Sequence, residues 1–239
     1  MIVYGRNPVR EALRGRRRDQ VGQVWATEGA AREPWLSGLD PVPARPEELE
    51  RLCGSRAHQG VCAEVGPYPY VDADELVGAD GLVLALDRVQ DPQNLGAICR
   101  TAECAGARGL VLPERRSVEI TPAACKASAG AVEHLAVAQV GNLSDFLSHA
   151  KRQGAWCYGA AATGGRPYTA VDFGPRVVLV LGGEGGGLGR RVAASCDELV
   201  TIPLRGRLES LNVGAAAAVL VYAILQHADP ARPALDRGS

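Results

Sequence analysis

The chain has 239 residues, of which 46% are hydrophobic, and a formal net charge of −1. That length suits one large domain or a small one joined to a medium one, and the charge balance rules out a global basic field. No window reaches the roughly 18 uninterrupted apolar residues of a membrane span, and "MIVYGRNPVREALRG" has no apolar signal core, so a cytoplasmic location is expected. Seven cysteines lie far apart with no C-x-x-C pair, which argues against a disulfide framework and against zinc. Most of them fit as small core residues. The four histidines show no ligand spacing, so no metal is expected.

Residues 1–66 read as a small mixed unit. "NPVREALRG" predicts a short helix with Pro8 near its start and Gly15 after its end. "QVWAT" predicts a strand, "PEELERLCG" a second helix closed by Gly54, and "GVCAEV" another strand. Arg6, Arg10, Arg14, Arg16, Arg17 and Arg18 crowd the first eighteen residues. They form either a phosphate-facing surface or a solvated helix end. Prolines, tyrosines and acids then mix in "GPYPYVDADEL", a composition that suits a linker over residues 67–79.

From Asp80 the rhythm changes. "GLVLALD", "GLVLP", "LAVAQV", "AWCYGAAA", "VVLVLGG" and "LVTIP" are continuous apolar runs, the pattern of strands buried on both faces. Helical stretches such as "NLGAICRTAECAG" and "LSDFLSHAKRQG" stand between some of them. The alternation predicts an α/β fold with a parallel sheet over residues 80–228, followed by a frayed tail over 229–239.

Three polar spots follow core strands, the place where open α/β sheets bind ligands. The first is "DPQNLGAICRTA", where Asn94 can cap the helix and Arg100, six residues on, returns to roughly the same face. The second is "LGGEGGGLGRR". It lacks both G-x-G-x-x-G and G-K-[ST], and Glu184 would repel a phosphate cradled there. The third is "RGRLESLN", which places Glu209, Ser210 and Asn212 at the mouth of an apolar helix. Ser210 or Asn212 could simply cap that helix.

Together these three segments resemble, in order, the motifs of the SpoU, or TrmH-like, RNA ribose 2′-O-methyltransferases. "YGRNPVREAL", "AHQGV" and "KASAGAVEHL" are similar to the RlmB-type branch, whose members modify a guanosine of 23S ribosomal RNA. The resemblance implies a SPOUT-like parallel-sheet domain with a deep C-terminal trefoil knot, preceded by a small L30e-like RNA substrate-binding domain. It implies S-adenosylmethionine as cofactor, RNA as partner and a homodimer. Carried over by position, Asn94, Arg100, Glu184, Ser210 and Asn212 are the expected catalytic set. Gly182, Gly183, Ile202, Leu211 and Asn212 are the expected cofactor contacts. Arg115, Arg116, Arg205 and Arg207 join the N-terminal arginines as candidate RNA contacts. Another ribosomal nucleotide, as in antibiotic-resistance enzymes, or a tRNA is the alternative target. A non-catalytic RNA-binding assembly factor is a different class of answer, against which the complete polar set argues. A nicotinamide oxidoreductase is disfavoured by the missing dinucleotide fingerprint.

Overall fold

A computed structural model describes residues 1–115 and 117–228; Arg116 and the tail 229–239 lie outside the described residues. The N-terminal unit comprises β1 (Ile2–Tyr4), α1 (Arg6–Ala12), β2 (Val21–Ala26), α2 (Glu28–Ala31), β3 (Val42–Pro43), α3 (Pro46–Cys53) and β4 (Val61–Val65). Its sheet order is β1-β4-β2-β3, antiparallel except for the β2–β3 pair. The remainder runs α4 (Asp74–Val77), β5 (Gly81–Asp87), α5 (Pro92–Cys104), β6 (Gly109–Pro113), α6 (Pro122–Ala127), β7 (Val137–Val140), α7 (Leu143–Arg152), β8 (Trp156–Ala160), β9 (Arg166–Pro167), β10 (Arg176–Gly182), α8 (Arg190–Ser195), β11 (Glu198–Thr201) and α9 (Val213–Ala228). Its seven strands form one parallel sheet in the order β7-β6-β5-β10-β8-β11-β9.

The apolar runs are explained by burial on both faces. Leu82, Leu84 and Leu86 of β5, with Val177, Leu179 and Leu181 of β10, pack with α5 and α9. The intervening Val83, Ala85, Val178 and Val180 pack with α4, α7 and α8. The side-chain period of two therefore feeds two separate cores, and between Leu82 and Leu86 and between Val177 and Leu181 no position is left for a polar residue. Four of the cysteines, Cys62, Cys99, Cys125 and Cys157, are fully buried, as expected of small core residues. Burial pushes the Cys125 and Cys157 thiols up to about 12, which keeps them protonated and inert at neutral pH.

The segment 67–79 is not a free linker. Tyr68 is buried, and its hydroxyl donates to the carbonyls of Val132, at 3.0 Å, and Leu135. Val71 bridges to Ala138 beside β7, and α4 buries Leu76 and Val77. Tyr68 buries its ring and satisfies its hydroxyl in the seam, and the half-buried Tyr70 accepts from the Ile120 N–H at 3.1 Å. Residues of the N-terminal unit, among them Val3, Val9 and Val61, join the same apolar cluster as β5 and α5. One core thus runs through both units.

Arg17 is the other surprise in this region. Its side chain and that of Glu133 are both 0% exposed. Arg17 Nε donates to Glu133 Oε2 at 2.9 Å, a terminal nitrogen donates to Glu133 Oε1, and Nη1 reaches the Gly66 carbonyl at 3.2 Å. The guanidinium also lies over the Tyr68 ring, 5.6 Å from its centre. The pair is thus an internal bolt and not part of a phosphate-facing surface. Of the other arginines in that cluster, Arg6 pairs with Glu33 and Arg10 with Glu11, while Arg14 and Arg16 are exposed.

Removing one partner of a buried pair strands the other charge, which costs about 3–5 kcal/mol. Glu133→Ala should lose that much stability in urea unfolding at neutral pH, and Glu133→Ala combined with Arg17→Met should recover most of it. A loss under about 1 kcal/mol in the single variant would show the pair to be solvated.

Candidate active site

The pairing of β5 with β10 runs from Gly81 opposite Arg176 to Asp87 opposite Gly182, so the first two polar segments start side by side at one sheet edge. After β5 the chain turns through Arg88, Val89 and Gln90 into α5. Asp91, not Asn94, caps this helix: its carboxylate accepts from the Gln93 N–H at 2.9 Å, with Pro92 at the first helical position. Asn94 is thereby released from capping. It sits in the first turn, 6% exposed, with its amide turned to the second and third segments.

Asn94 Nδ2 donates to Glu184 Oε1 at 2.9 Å. Asn212 Nδ2 donates to Asn94 Oδ1 at 2.8 Å and to Glu184 Oε1 at 3.0 Å. Asn212 also caps α9, because its Oδ1 accepts from the backbone N–H groups of Gly214 and Ala215 at 2.8 and 3.3 Å. The two roles are linked. Two backbone donors fix which end of the amide is oxygen, and the NH₂ must then face Asn94 and Glu184.

The glycine loop is held against the end of β5. Gly183 N donates to the Asp87 carbonyl at 2.8 Å, and Gly189 N to the Asp87 carboxylate at 2.5 Å. A Cβ on Gly183 would lie 2.2 Å from the Arg88 carbonyl oxygen, and one on Gly182 would lie 2.2 Å from the Gly187 carbonyl carbon. Close backbone approach therefore demands glycine at both positions.

The loop forms one wall of a cavity of about 770 Å³. The end of β8 with Ala161–Thr163, the segment from Leu199 to Ile202, and Glu209–Val213 supply the rest. Gly182, Gly183, Glu184, Ile202, Ser210, Leu211 and Asn212 all line it, and Asn94 joins through its bonds to Glu184 and Asn212. Arg100 does not: it is exposed and lines neither this cavity nor a smaller one beside it. Six residues of α-helix turn through about 600°, so Arg100 stands about 120° away from Asn94 and not back on its face. Sequence reasoning missed Asp87, Arg88 and the wall after β8. Each stands at the C-terminal end of a parallel strand, which was the available signal.

The cavity suits a ligand that combines a flat heteroaromatic group with a positive centre. Leu188, Leu199, Val200, Ile202 and Leu220 give apolar walls, Glu184 and Glu209 give carboxylates, and the glycines leave backbone groups accessible. Its volume lies in the range of about 300–1,000 Å³ usual for small-molecule sites. These features fit S-adenosylmethionine, whose adenine would take the apolar walls and whose positive sulfonium and ammonium groups are the charges that carboxylates attract.

Comparison with known proteins points the same way. Residues 81–222 match the model of the SpoU rRNA methylase family, and residues 2–71 match that of the RNA 2′-O ribose methyltransferase substrate-binding domain. A Bacillus subtilis protein named as a TrmH family tRNA/rRNA methyltransferase is 36% identical over 95% of this chain and 96% of its own. A Porphyromonas gingivalis structure described as an RNA methyltransferase of the TrmH family is 30% identical, with a TM-score of 0.73 over 93% of this chain and 88% of that one. An AdoMet-bound rRNA methyltransferase from Sinorhizobium meliloti is 25% identical, with a TM-score of 0.79 over 95% and 87% of the two chains.

Because Asn212 both caps and bridges, two substitutions separate its roles. Asn212→Ala should destabilise the protein by about 1–2 kcal/mol, while Asn212→Ser, a comparable cap, should recover about 1 kcal/mol of that. Equal melting temperatures for the two variants would exclude the cap.

Proposed function

The chain belongs to the SpoU rRNA methylase family and is an RNA methyltransferase that uses S-adenosylmethionine; within that activity we propose that its acceptor is a ribose 2′-hydroxyl, in a guanosine of 23S ribosomal RNA. The observation that carries the ribose reading is the bonded set Asn94–Glu184–Asn212, which three separated segments bring to the wall of one ligand-sized cavity. The match of residues 2–71 to a 2′-O ribose methyltransferase substrate-binding domain supports it. The choice of 23S guanosine rests on "AHQGV" and "KASAGAVEHL". The deep knot and the small domain's L30e-like fold belong to the same reading.

When bound, S-adenosylmethionine supplies an electrophilic methyl group on a sulfonium centre. Gly182, Gly183, Ile202, Leu211 and Asn212 would hold it. Two amide donors fix Glu184 through Oε1, and Oε2, which has no hydrogen-bond partner among the described residues, is left to accept from the ribose hydroxyl. Such alignment can remove up to about 7–11 kcal/mol of barrier. Ser210 lines the same cavity and offers a hydroxyl to the acceptor. The Arg100 side chain makes no hydrogen bond among the described residues, which leaves its fork for a phosphate of the bound RNA. A guanidinium offers five donors and no acceptor, so it acts by charge and not as a base. It favours loss of the hydroxyl proton, which leaves to that phosphate or to water. Arg14, Arg16, Arg115, Arg205 and Arg207 are exposed and extend the phosphate-binding surface.

A homodimer belongs to this reading. Leu204, Leu208, Leu211, Val219 and Tyr222 expose apolar surface along the third segment and α9, Leu208 at 81% and Tyr222 at 48%. A run of this kind suits contact with a second copy. Val219→Glu with Tyr222→Glu should convert a dimer to a monomer in light scattering; an unchanged mass would place the interface elsewhere.

Deleting the gene and mapping ribose methylation across ribosomal and transfer RNA tests the target. One missing 23S guanosine mark, restored by the unaltered gene and not by Arg100→Ala, is expected. A missing tRNA mark, or none, would refute the 23S assignment. In purified protein, Arg100→Ala should lower transfer at least about 100-fold with S-adenosylmethionine affinity changed less than about threefold. Near-normal turnover would remove Arg100 from the mechanism.

A further inference from the structure

Arg88 is a non-glycine residue with φ 60°, in the left-handed region that side chains with a Cβ rarely occupy. It lies between the last residue of β5 and the start of α5, where glycine would relieve the strain. Strain of this kind persists only where the surroundings enforce it, and it concentrates at functional sites. The guanidinium is held at two points: Nη2 donates to the Gly187 carbonyl at 3.0 Å, and Nε lies 3.5 Å from the Asp87 carboxylate. The side chain nevertheless keeps 44% of its surface exposed.

That exposed part lines the second cavity, of about 220 Å³, walled by Arg88, Gln90, Gly183, Glu184, Gly186 and Gly187. Gly183, Glu184, Gly186 and Gly187 also line the cavity assigned to S-adenosylmethionine. The two spaces are therefore neighbours along one loop, and Glu184 belongs to both. A transfer between two substrates needs such an arrangement, with one substrate on each side of the shared carboxylate. An RNA nucleotide approaching Glu184 brings its own negative charge toward a carboxylate. Arg88 is the cation in this second cavity that offsets the repulsion, and Nη1 stays available for a phosphate oxygen. Gln90 adds an amide that can donate to or accept from a ribose hydroxyl or a base edge.

We propose that the second cavity receives the acceptor nucleotide of the RNA, and that Arg88 binds its phosphate there. This role is separate from that of Arg100 on the exposed face of α5. The proposal rests on the reading of the chain as an RNA ribose methyltransferase. The left-handed backbone of Arg88 is then the cost of placing a guanidinium where glycine would fit more easily.

The test uses Arg88→Gly, which relieves the backbone and removes only the side chain. Binding of an unmodified 23S rRNA transcript is measured by filter retention over a series of KCl concentrations, beside calorimetric titration with S-adenosylmethionine. The expected result has four parts. RNA affinity at low salt falls about tenfold or more. The slope of log affinity against log salt becomes shallower by about 0.7–0.9, one phosphate contact. S-adenosylmethionine affinity stays within about twofold, and the melting temperature is not lowered. Arg88→Lys, which keeps the charge, should restore most of the salt slope. Unchanged RNA affinity and slope in Arg88→Gly would overturn the proposal. So would a loss of S-adenosylmethionine binding that matches the loss of RNA binding, since Arg88 would then act only by clasping the loop. Methyl transfer by the unaltered protein to unmodified ribosomal and transfer RNA is read separately, and its complete absence would refute the ribose-methylation reading itself.

Discussion

Glu184 Oε1 accepts from two side-chain amides that reach it across 90 and 28 residues of sequence. A carboxylate oxygen shared by two amide donors is charge-assisted and directional, so it fixes the three segments against one another. The rest of the site follows from that constraint. Asp91 must take over the cap of α5 so that Asn94 is free. Asn212 must use its oxygen for the cap of α9 so that its Nδ2 amide points inward. Gly182 and Gly183 must lack side chains so that the loop carrying Glu184 can lie against Arg88 and against its own far end.

The same economy governs how the small unit meets the large one. Arg17 and Glu133 neutralise each other within a shared apolar core, and Tyr68 ties the intervening segment to the carbonyls of Val132 and Leu135. Desolvating two charges is costly, and the pair is tolerated because Gly66, Tyr68 and Cys125 supply further partners for the guanidinium. Lys126 extends the seam to the surface, where its amine donates to Gln59 of the small unit at 3.0 Å. From there α6 packs on α5 so closely that a Cβ on Gly96 would lie 2.3 Å from the Ala127 methyl. A continuous path of packed groups therefore runs from the small unit to the helix that carries Asn94.

Periodicity made the catalytic sheet legible. Runs such as "GLVLALD" and "VVLVLGG" can satisfy two apolar faces at once only in a buried parallel strand. The polar segments were legible because each breaks such a run at a strand's C-terminal end, where a parallel sheet opens a crevice. Composition misled where it stood in for geometry. Prolines and tyrosines in 67–79 signal a linker, yet a tyrosine that finds carbonyl partners packs as well as any core residue. Arg17 sits in a run of arginines and cannot be told from its neighbours until Glu133, 116 residues away, is brought beside it.

By itself, the sequence determined the α/β class, the parallel strands, the segments that carry Asn94, Glu184, Ser210 and Asn212, and their likeness to one methyltransferase family. These are local properties, set by side-chain period, turn chemistry and motif. Only the tertiary structure decided which atoms of those segments meet and that Asp91 is the cap of α5. It also decided that Arg100 stands apart from Asn94, and that Arg88 and Asp87 clasp the glycine loop. Hydrogen bonds and close backbone approach depend on positions fixed to within a fraction of an ångström, and strand register and helix packing supply that accuracy where spacing along the chain does not.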